Sequence, residues 1–346
     1  MAYRMEERRA VGRTELELPV FGFGSAHLGE LYGPVDEATS RATLEAAWDA
    51  GVRYFDTAPW YGRGLSEHRV GGFLRTMPRS DFQISTKVGR TLHRPADPAS
   101  FDRAPWAGGL RFEVRFDYSR DGILRSYEQA LQRLGLDTVD ALVIHDLDAA
   151  YHEPDIYMRH RRELAETGVK ALGELKASGD IKAFGMGINT NEAFENVATE
   201  VDLDFLLVAM PYTLADQESL HRGMADCLRR GISVIIGAPY ASGILVTGAG
   251  EGATYAYDKA PPTVQAKVRG LQSVAAAHGV PLPAAALQFP LAHPAVASII
   301  PGAAKPAEVT QNAELLGMAI PDAFWADLKQ KGLIVPDAPV PGQGGA

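Results

Sequence analysis

Eight short β-prone runs, each closing on a loop and each separated from the next by helical sequence, constrain this chain most. They read as Val20–Phe23, Val52–Asp56, Phe82–Lys87, Val139–His145, Ile181–Gly187, Leu203–Ala209, Ile232–Ile236 and Val296–Ile300. Helical stretches are predicted over Asp36–Ala50, Leu65–Leu74, Tyr118–Leu134, Arg162–Ser178, Glu192–Thr199, Gln217–Arg230, Thr263–His278, Leu282–Ala292, Ala307–Leu315 and Asp322–Lys331. Strand–helix alternation of this kind means a parallel sheet. Eight units can close it, so the expected fold is α/β, a (β/α)8 TIM barrel. A Rossmann arrangement is the alternative; it is weakened by the missing dinucleotide fingerprint and by reactive residues spread over successive strands.

The remaining stretches fit one barrel, residues 1–346, with an added hairpin and extended loops. Val11–Val20 reads as a hairpin about Gly12-Arg13-Thr14. Gly89–Asp117, Asp146–His160 and Gly237–Pro262 read as long loops over the mouth, and long loops are usually functional or mobile. Pro336–Ala346 reads as a flexible tail. Ser66 and Ser119 are candidate helix caps. The length of 346 residues exceeds the ~250 common for such barrels but lies within their range.

Composition excludes several classes. A net charge of −9 argues against nonspecific nucleic-acid binding. No run approaches the ~20 apolar residues of a membrane span, and the first ten residues have no apolar core, so the expected location is cytoplasmic. Cys227 is the single cysteine, and the nine histidines show no paired metal-ligand spacing, so no metal is expected.

The chemistry is concentrated in Gly51–Gly62, GVRYFDTAPWYG. A short strand ends in Asp56, and the loop after it carries Tyr61. In a barrel the C-terminal edge of the strands is where active sites sit. A free phenol, with a pKa of ~10, needs a nearby cation to work at neutral pH. Two later strands end in Lys87 and His145. Gly24, at the exit of the first strand, reads as a point where backbone passes close to a ligand.

These segments resemble the aldo-keto reductase family: DTAPWYG, STKVG and LVIHD match its signature regions, and the likeness runs from about Arg13 to about Leu333. The resemblance implies a catalytic tetrad of Asp56, Tyr61, Lys87 and His145, with Asp56 orienting Lys87 and Lys87 lowering the Tyr61 pKa. It implies a nicotinamide cofactor held by Ser242, Gly243 and Leu245 after strand seven and by Gly302, Glu308 and Asn312 after strand eight. Asn189 is the candidate for the carboxamide. NADPH-preferring members carry a lysine and an arginine where this chain has Gly302 and Glu308, which implies NAD; Lys305 is the counter-argument. The usual stacking tyrosine falls near Gly237, with Tyr240 close by.

Within the family the chain is most similar to NAD-linked dehydrogenases of L-fucose and D-threo-aldoses, and to pyridoxal 4-dehydrogenase. The segments that carry this are FGFGSAHLGELYGPVDE, FDYSRDGILRSYEQALQRLGL and MPYTLADQ. It implies oxidation of a cyclic hemiacetal to a lactone. Asp146, Asp148, His27 and Asn189 would serve a sugar; Trp60, Trp106 and Tyr212 would wall a pyridine pocket. An NADPH-dependent aldehyde or ketone reductase and a barrel kept only as a channel-associated binding subunit are the competing classes.

Overall fold

The eight predicted runs pair side by side in chain order. The structure, a computed structural model, describes residues 3–196, 201–256 and 258–342. Its main sheet contains β1 (Phe23–Gly24), β2 (Tyr54–Asp56), β3 (Gln83–Val88), β4 (Ala141–His145), β5 (Ala183–Ile188), β6 (Phe205–Val208), β7 (Ser233–Ile236) and β8 (Val296–Ile299). All neighbours are parallel. Parallel bridges Phe21↔Ile299 and Gly24↔Gly302 join the last strand to the first. That closure is a (β/α)8 barrel.

Strand alternation divides the apolar residues into two cores. Tyr54, Ala141, Val143, Ala183, Phe205, Leu207 and Ile235 fill the barrel interior, together with Ile300. Phe55, Ile84, Leu142, Ile144, Phe184, Met186, Leu206 and Val234 belong to the larger core with the helices. A hairpin of Arg8–Ala10 and Glu17–Pro19 adds Val11, Leu16 and Leu18 to the interior core. Its first strand thus begins ahead of the expected Val11. Gly185 makes room for this interior: a Cβ there would lie 2.7 Å from the Phe205 ring and 2.4 Å from its carbonyl oxygen.

The helix spanning Arg120–Leu134 starts and stops as expected: Ser119 accepts a hydrogen bond from the Gly122 amide, and left-handed Gly135 ends it. Ser66 is not a cap. The cap position is Gly64, and Ser66 Oγ instead donates to Ser25 O at 2.9 Å, tying the second helix to the exit of β1.

The long mouth loops carry more structure than their sequence suggests. Gly89–Asp117 contains an antiparallel hairpin, Arg90–His93 with Glu113–Phe116. The Asp146–His160 stretch turns helical at Pro154, because proline suits the first helical position. Helix Pro154–Glu163 then passes through a wide turn, Leu164–Gly168, into Val169–Ser178. Gln217–Arg230 is likewise helical only from Leu220. Gly237–Pro262 holds a short helix, Ile244–Thr247, and a pairing of Thr254–Tyr255 with Asp258–Lys259. The short helix expected to reach Thr199 is seen over Asn191–Asn196, and its expected end lies outside the described residues. The stretch from Pro336, expected as a flexible tail, buries Ala338 and Val340; residues 343–346 lie outside the description.

Candidate active site

Period-two alternation lifts Asp56, Ser85, Lys87 and His145 onto the interior face of their strands, one step above the apolar fill. Asp56 and Lys87 are each 1% exposed. The Lys87 ammonium donates to Asp56 Oδ2 at 2.5 Å and to the Thr57 carbonyl at 2.9 Å. Ser85, two residues earlier on the same face, donates to the other carboxylate oxygen at 2.7 Å. Burial pushes the Asp56 carboxyl up from its ordinary range; Lys87 and Ser85 pull against that.

Tyr61 follows in the loop after β2, where Gly62, Arg63 and Gly64 all take positive φ. A Cβ on Gly62 would lie 2.7 Å from the Gly29 carbonyl oxygen, so this tight crossing requires glycine. The Lys87 ammonium stands 4.5 Å from the Tyr61 ring centroid, against the ring rather than paired with the hydroxyl. Burial pushes the phenol well above its ordinary value, the Asp56 and Asp146 carboxylates add to this, and Arg90 opposes it. In the ligand-free protein the net shift of the phenol is thus upward, against the expected lowering. The Lys87 ammonium is hydrogen-bonded to Asp56 and the Thr57 carbonyl.

The His145 imidazole stands at 90° to the Tyr61 ring, with centroids 6.0 Å apart. Burial, then Arg90 and Lys87, hold its pKa well below the ordinary value, which favours the uncharged imidazole. Its Nδ1 is buried with no partner among the described residues. Tyr118 fixes the backbone here, donating to the His145 carbonyl at 2.7 Å.

Around these four lies a second set of charges. Arg90 donates to Asp146 Oδ2, and both are buried. Its guanidinium carbon lies 5.0 Å from the Trp60 ring centroid and 4.7 Å from that of Phe116. Asn189 donates to Asp146 Oδ1 at 3.0 Å. Trp60 is half-buried and meets buried Trp106 edge-on at 5.5 Å; Trp106 lies 6.0 Å from Tyr61. Arg63 pins the loop that carries Trp106, donating to the carbonyls of Ala104 and Phe112 at 3.1 Å each. Tyr212 is fully buried, stacked 5.5 Å from Phe289, and forms core rather than the expected pocket wall.

The other mouth stretches are likewise resolved into geometry. Ala241, Ser242 and Gly243 take positive φ in succession. Leu245 is buried, and its amide donates to the Tyr240 carbonyl. The Tyr240 hydroxyl donates to Asn312 Oδ1 at 2.5 Å, which joins the β7 loop to the helix after β8. Glu308, in the first turn of that helix, accepts from the Ala304 amide at 2.8 Å; Lys305 is exposed. A Cβ on Gly302 would lie 2.3 Å from His27 Nδ1, itself buried without a partner among the described residues. Gly24 is constrained by closure of the barrel: its Cβ would lie 2.6 Å from the Ile300 carbonyl oxygen. That explains the glycine without a ligand.

The aldo/keto reductase family profile matches residues 20–332. The chain belongs to the aldo-keto reductase family. It is 40% identical to pyridoxal 4-dehydrogenase of Microbacterium luteolum, over 96% of this chain and 100% of that one. It is 36% identical to D-threo-aldose 1-dehydrogenase of a Pseudomonas species, over 94% and 97%. Among solved structures, an aldo-keto reductase from Bacillus halodurans in its holo form superposes with a TM-score of 0.73 at 23% identity, covering 98% of this chain and 99% of that one.

This aldo-keto reductase brings together all four residues of the expected tetrad. The reading from sequence missed Arg90, which lay inside what looked like a long loop. It also missed Ser85, although Ser-x-Lys in a strand places both side chains on one face. Asp146 was visible as an acid but not as the partner of Arg90.

Proposed function

We propose that the protein is an NAD-dependent dehydrogenase that oxidises a cyclic hemiacetal, such as L-fucose or a D-threo-aldose, to its lactone. The observation that carries this is the tetrad: a phenol over a buried Asp56–Lys87 pair, with a neutral imidazole at right angles to it. That set handles one proton at a carbon-bound oxygen. Nicotinamide dinucleotide, when bound, takes the hydride. Tyr61, once ionised to the phenolate, takes the hemiacetal hydroxyl proton, and His145 hydrogen-bonds the same oxygen as it becomes a carbonyl. Because the resting phenol is held protonated, oxidation accelerates as pH rises.

The residues present suit such a cofactor. Ser242 and Gly243, in their left-handed turn, would meet its pyrophosphate, and Asn189 its carboxamide. Asn312 would reach the adenine. Glu308 puts a negative charge in the first turn of its helix, which disfavours a ribose phosphate and supports NAD. Glu308→Arg is expected to improve the NADP-to-NAD preference about ten-fold or more, measured as the ratio of kcat/KM values.

Pyridoxal is the second reading. The Trp60–Trp106 pair beside Tyr61 offers an aromatic wall, and the relative at 40% identity oxidises pyridoxal by name. Initial rates with NAD and NADP against pyridoxal, L-fucose and D-arabinose separate the two. Tyr61→Phe should cut turnover about 10²- to 10⁴-fold; unchanged turnover would remove the tetrad from the mechanism and favour a binding role. NADP-only turnover would overturn the NAD reading in favour of a general reductase.

A further inference from the structure

Asp146 immediately follows His145 and takes φ +50, a conformation that non-glycine residues rarely adopt without a reason. Its carboxylate is shared among three groups. Arg90 donates to Oδ2, Asn189 donates to Oδ1, and His145 Nε2 lies 3.4 Å from Oδ2. Its backbone carbonyl lies 3.1 Å from His152 Nε2. The proton transfer proposed above does not by itself call for any of this.

We propose that Asp146, hydrogen-bonded by Arg90 and Asn189, is a positioning residue that keeps the imidazole proton of His145 on Nε2, so that His145 donates a hydrogen bond to the reacting oxygen at Tyr61. The inference rests on the reading of Tyr61 and His145 as the groups that flank that oxygen.

A neutral imidazole carries one proton, and the nitrogen that holds it decides which edge donates. A carboxylate oxygen 3.4 Å from Nε2 favours the proton there. The contact is longer than a formed hydrogen bond, which leaves the proton free to turn to a ligand oxygen. Among the described residues Nδ1 has no partner that would hold the proton on the opposite side. Arg90 has two effects. Its charge opposes protonation of His145, and it pulls down the Asp146 pKa that burial raises. The aromatic rings of Trp60 and Phe116 fix the guanidinium in place.

The charged and titratable groups around Tyr61 come from every neighbouring element. They are Tyr54 and Asp56 on β2, Lys87 on β3, Arg90 in the hairpin, His145 and Asp146 at the end of β4, and Tyr151 in the loop beyond. Removing the Asp146 charge takes one anion away from the phenol. The pH at which oxidation rises should then move down.

The test is ¹⁵N NMR of the imidazoles in the ligand-free full chain, with His145→Gln used to assign the signal. The wild-type protein and Arg90→Lys should show the Nε2–H tautomer. Asp146→Asn should show a mixture, or Nδ1–H. In the same variant kcat should fall about ten- to a hundred-fold with KM within about three-fold. In Arg90→Met/Asp146→Asn the net charge of the pair is zero again, so the pH of the rise should return toward wild type while the tautomer stays lost. That double variant also carries the test if Asp146→Asn does not fold, because removing both charges leaves neither buried alone. An Nε2–H tautomer that persists without Asp146 overturns the inference. Absence of turnover in the wild-type protein would sink the dehydrogenase reading, while the NMR result would still decide the role of Asp146.

Discussion

The floor and the mouth of this barrel are equally buried and chemically opposite. At the floor Val143, Ala183, Phe205, Leu207 and Ile235 pack with Val11, Leu16 and Leu18 of the hairpin. At the mouth Asp56 and Lys87 are 1% exposed, His145 5% and Asp146 8%. The same strands build both. Tyr54 and Asp56 are two residues apart on β2, as are Val143 and His145 on β4. Burial alone therefore does not separate core from site. The difference lies in how each region meets the cost of leaving water. The floor has little polarity to satisfy. The mouth satisfies its charges pairwise, Lys87 with Asp56 and Arg90 with Asp146.

Lys87→Met breaks the comparison most sharply, because it makes one point of the mouth as apolar as the floor. Asp56 would then be buried without its cation, and loss of one partner of a buried pair costs about 3–5 kcal/mol. The Asp56 carboxyl is already pushed up by burial with Lys87 in place, so in the variant it should take up a proton. The expected outcome is a large loss of stability at pH 8 that shrinks as pH falls, read from urea midpoints. A loss that does not vary with pH would mean that Asp56 is satisfied by Ser85 alone.

Phe205→Ala tests the other end. It should cost about 3–5 kcal/mol through the cavity it leaves, while kcat stays within about three-fold because no atom of the tetrad is touched. The opposite pattern, a modest loss of stability with a collapse in kcat, would show that floor packing sets the mouth geometry. The two ends would then have to be treated as one mechanical unit.

Much of this contrast was legible in the chain. The tetrad could be read because each member stands where an apolar run meets a loop breaker, as in YFDTAP, STKVG and VIHD. The closed barrel could be read from eight alternations. The division of each strand into interior and helix-facing residues could not, because both faces are buried and VDALVIH has no polar period to reveal it. Arg90 and Asp146 lie 56 residues apart, and nothing local to either announces the other. Tyr212 shows the same limit from the other side. An aromatic after a strand reads alike whether it walls a pocket or, as here, stacks on Phe289 in the core. Glu308 reads as a charge facing a ligand, and only the fold reveals that it also closes its own helix on the Ala304 amide.

The smallest expected effect refines the comparison by pH. A histidine buried neutral has its folded-state pKa depressed below the unfolded value of ~6.5. As pH falls through that value the unfolded chain binds a proton that the folded chain refuses, so stability is full above ~6.5 and drains below it. The limiting slope for one such group is about 1.4 kcal/mol per pH unit. His145 at the mouth is of this kind, and so is His293, whose pKa burial lowers to about 4. His145→Gln should therefore flatten the decline in the urea midpoint between pH 7 and 5, and His293→Gln should do the same independently. If only His293→Gln flattens it, the mouth accepts the proton on His145. The neutral imidazole that the mouth is built around would then give way to an imidazolium paired with Asp146, and the mouth would differ from the floor in charge as well as in polarity.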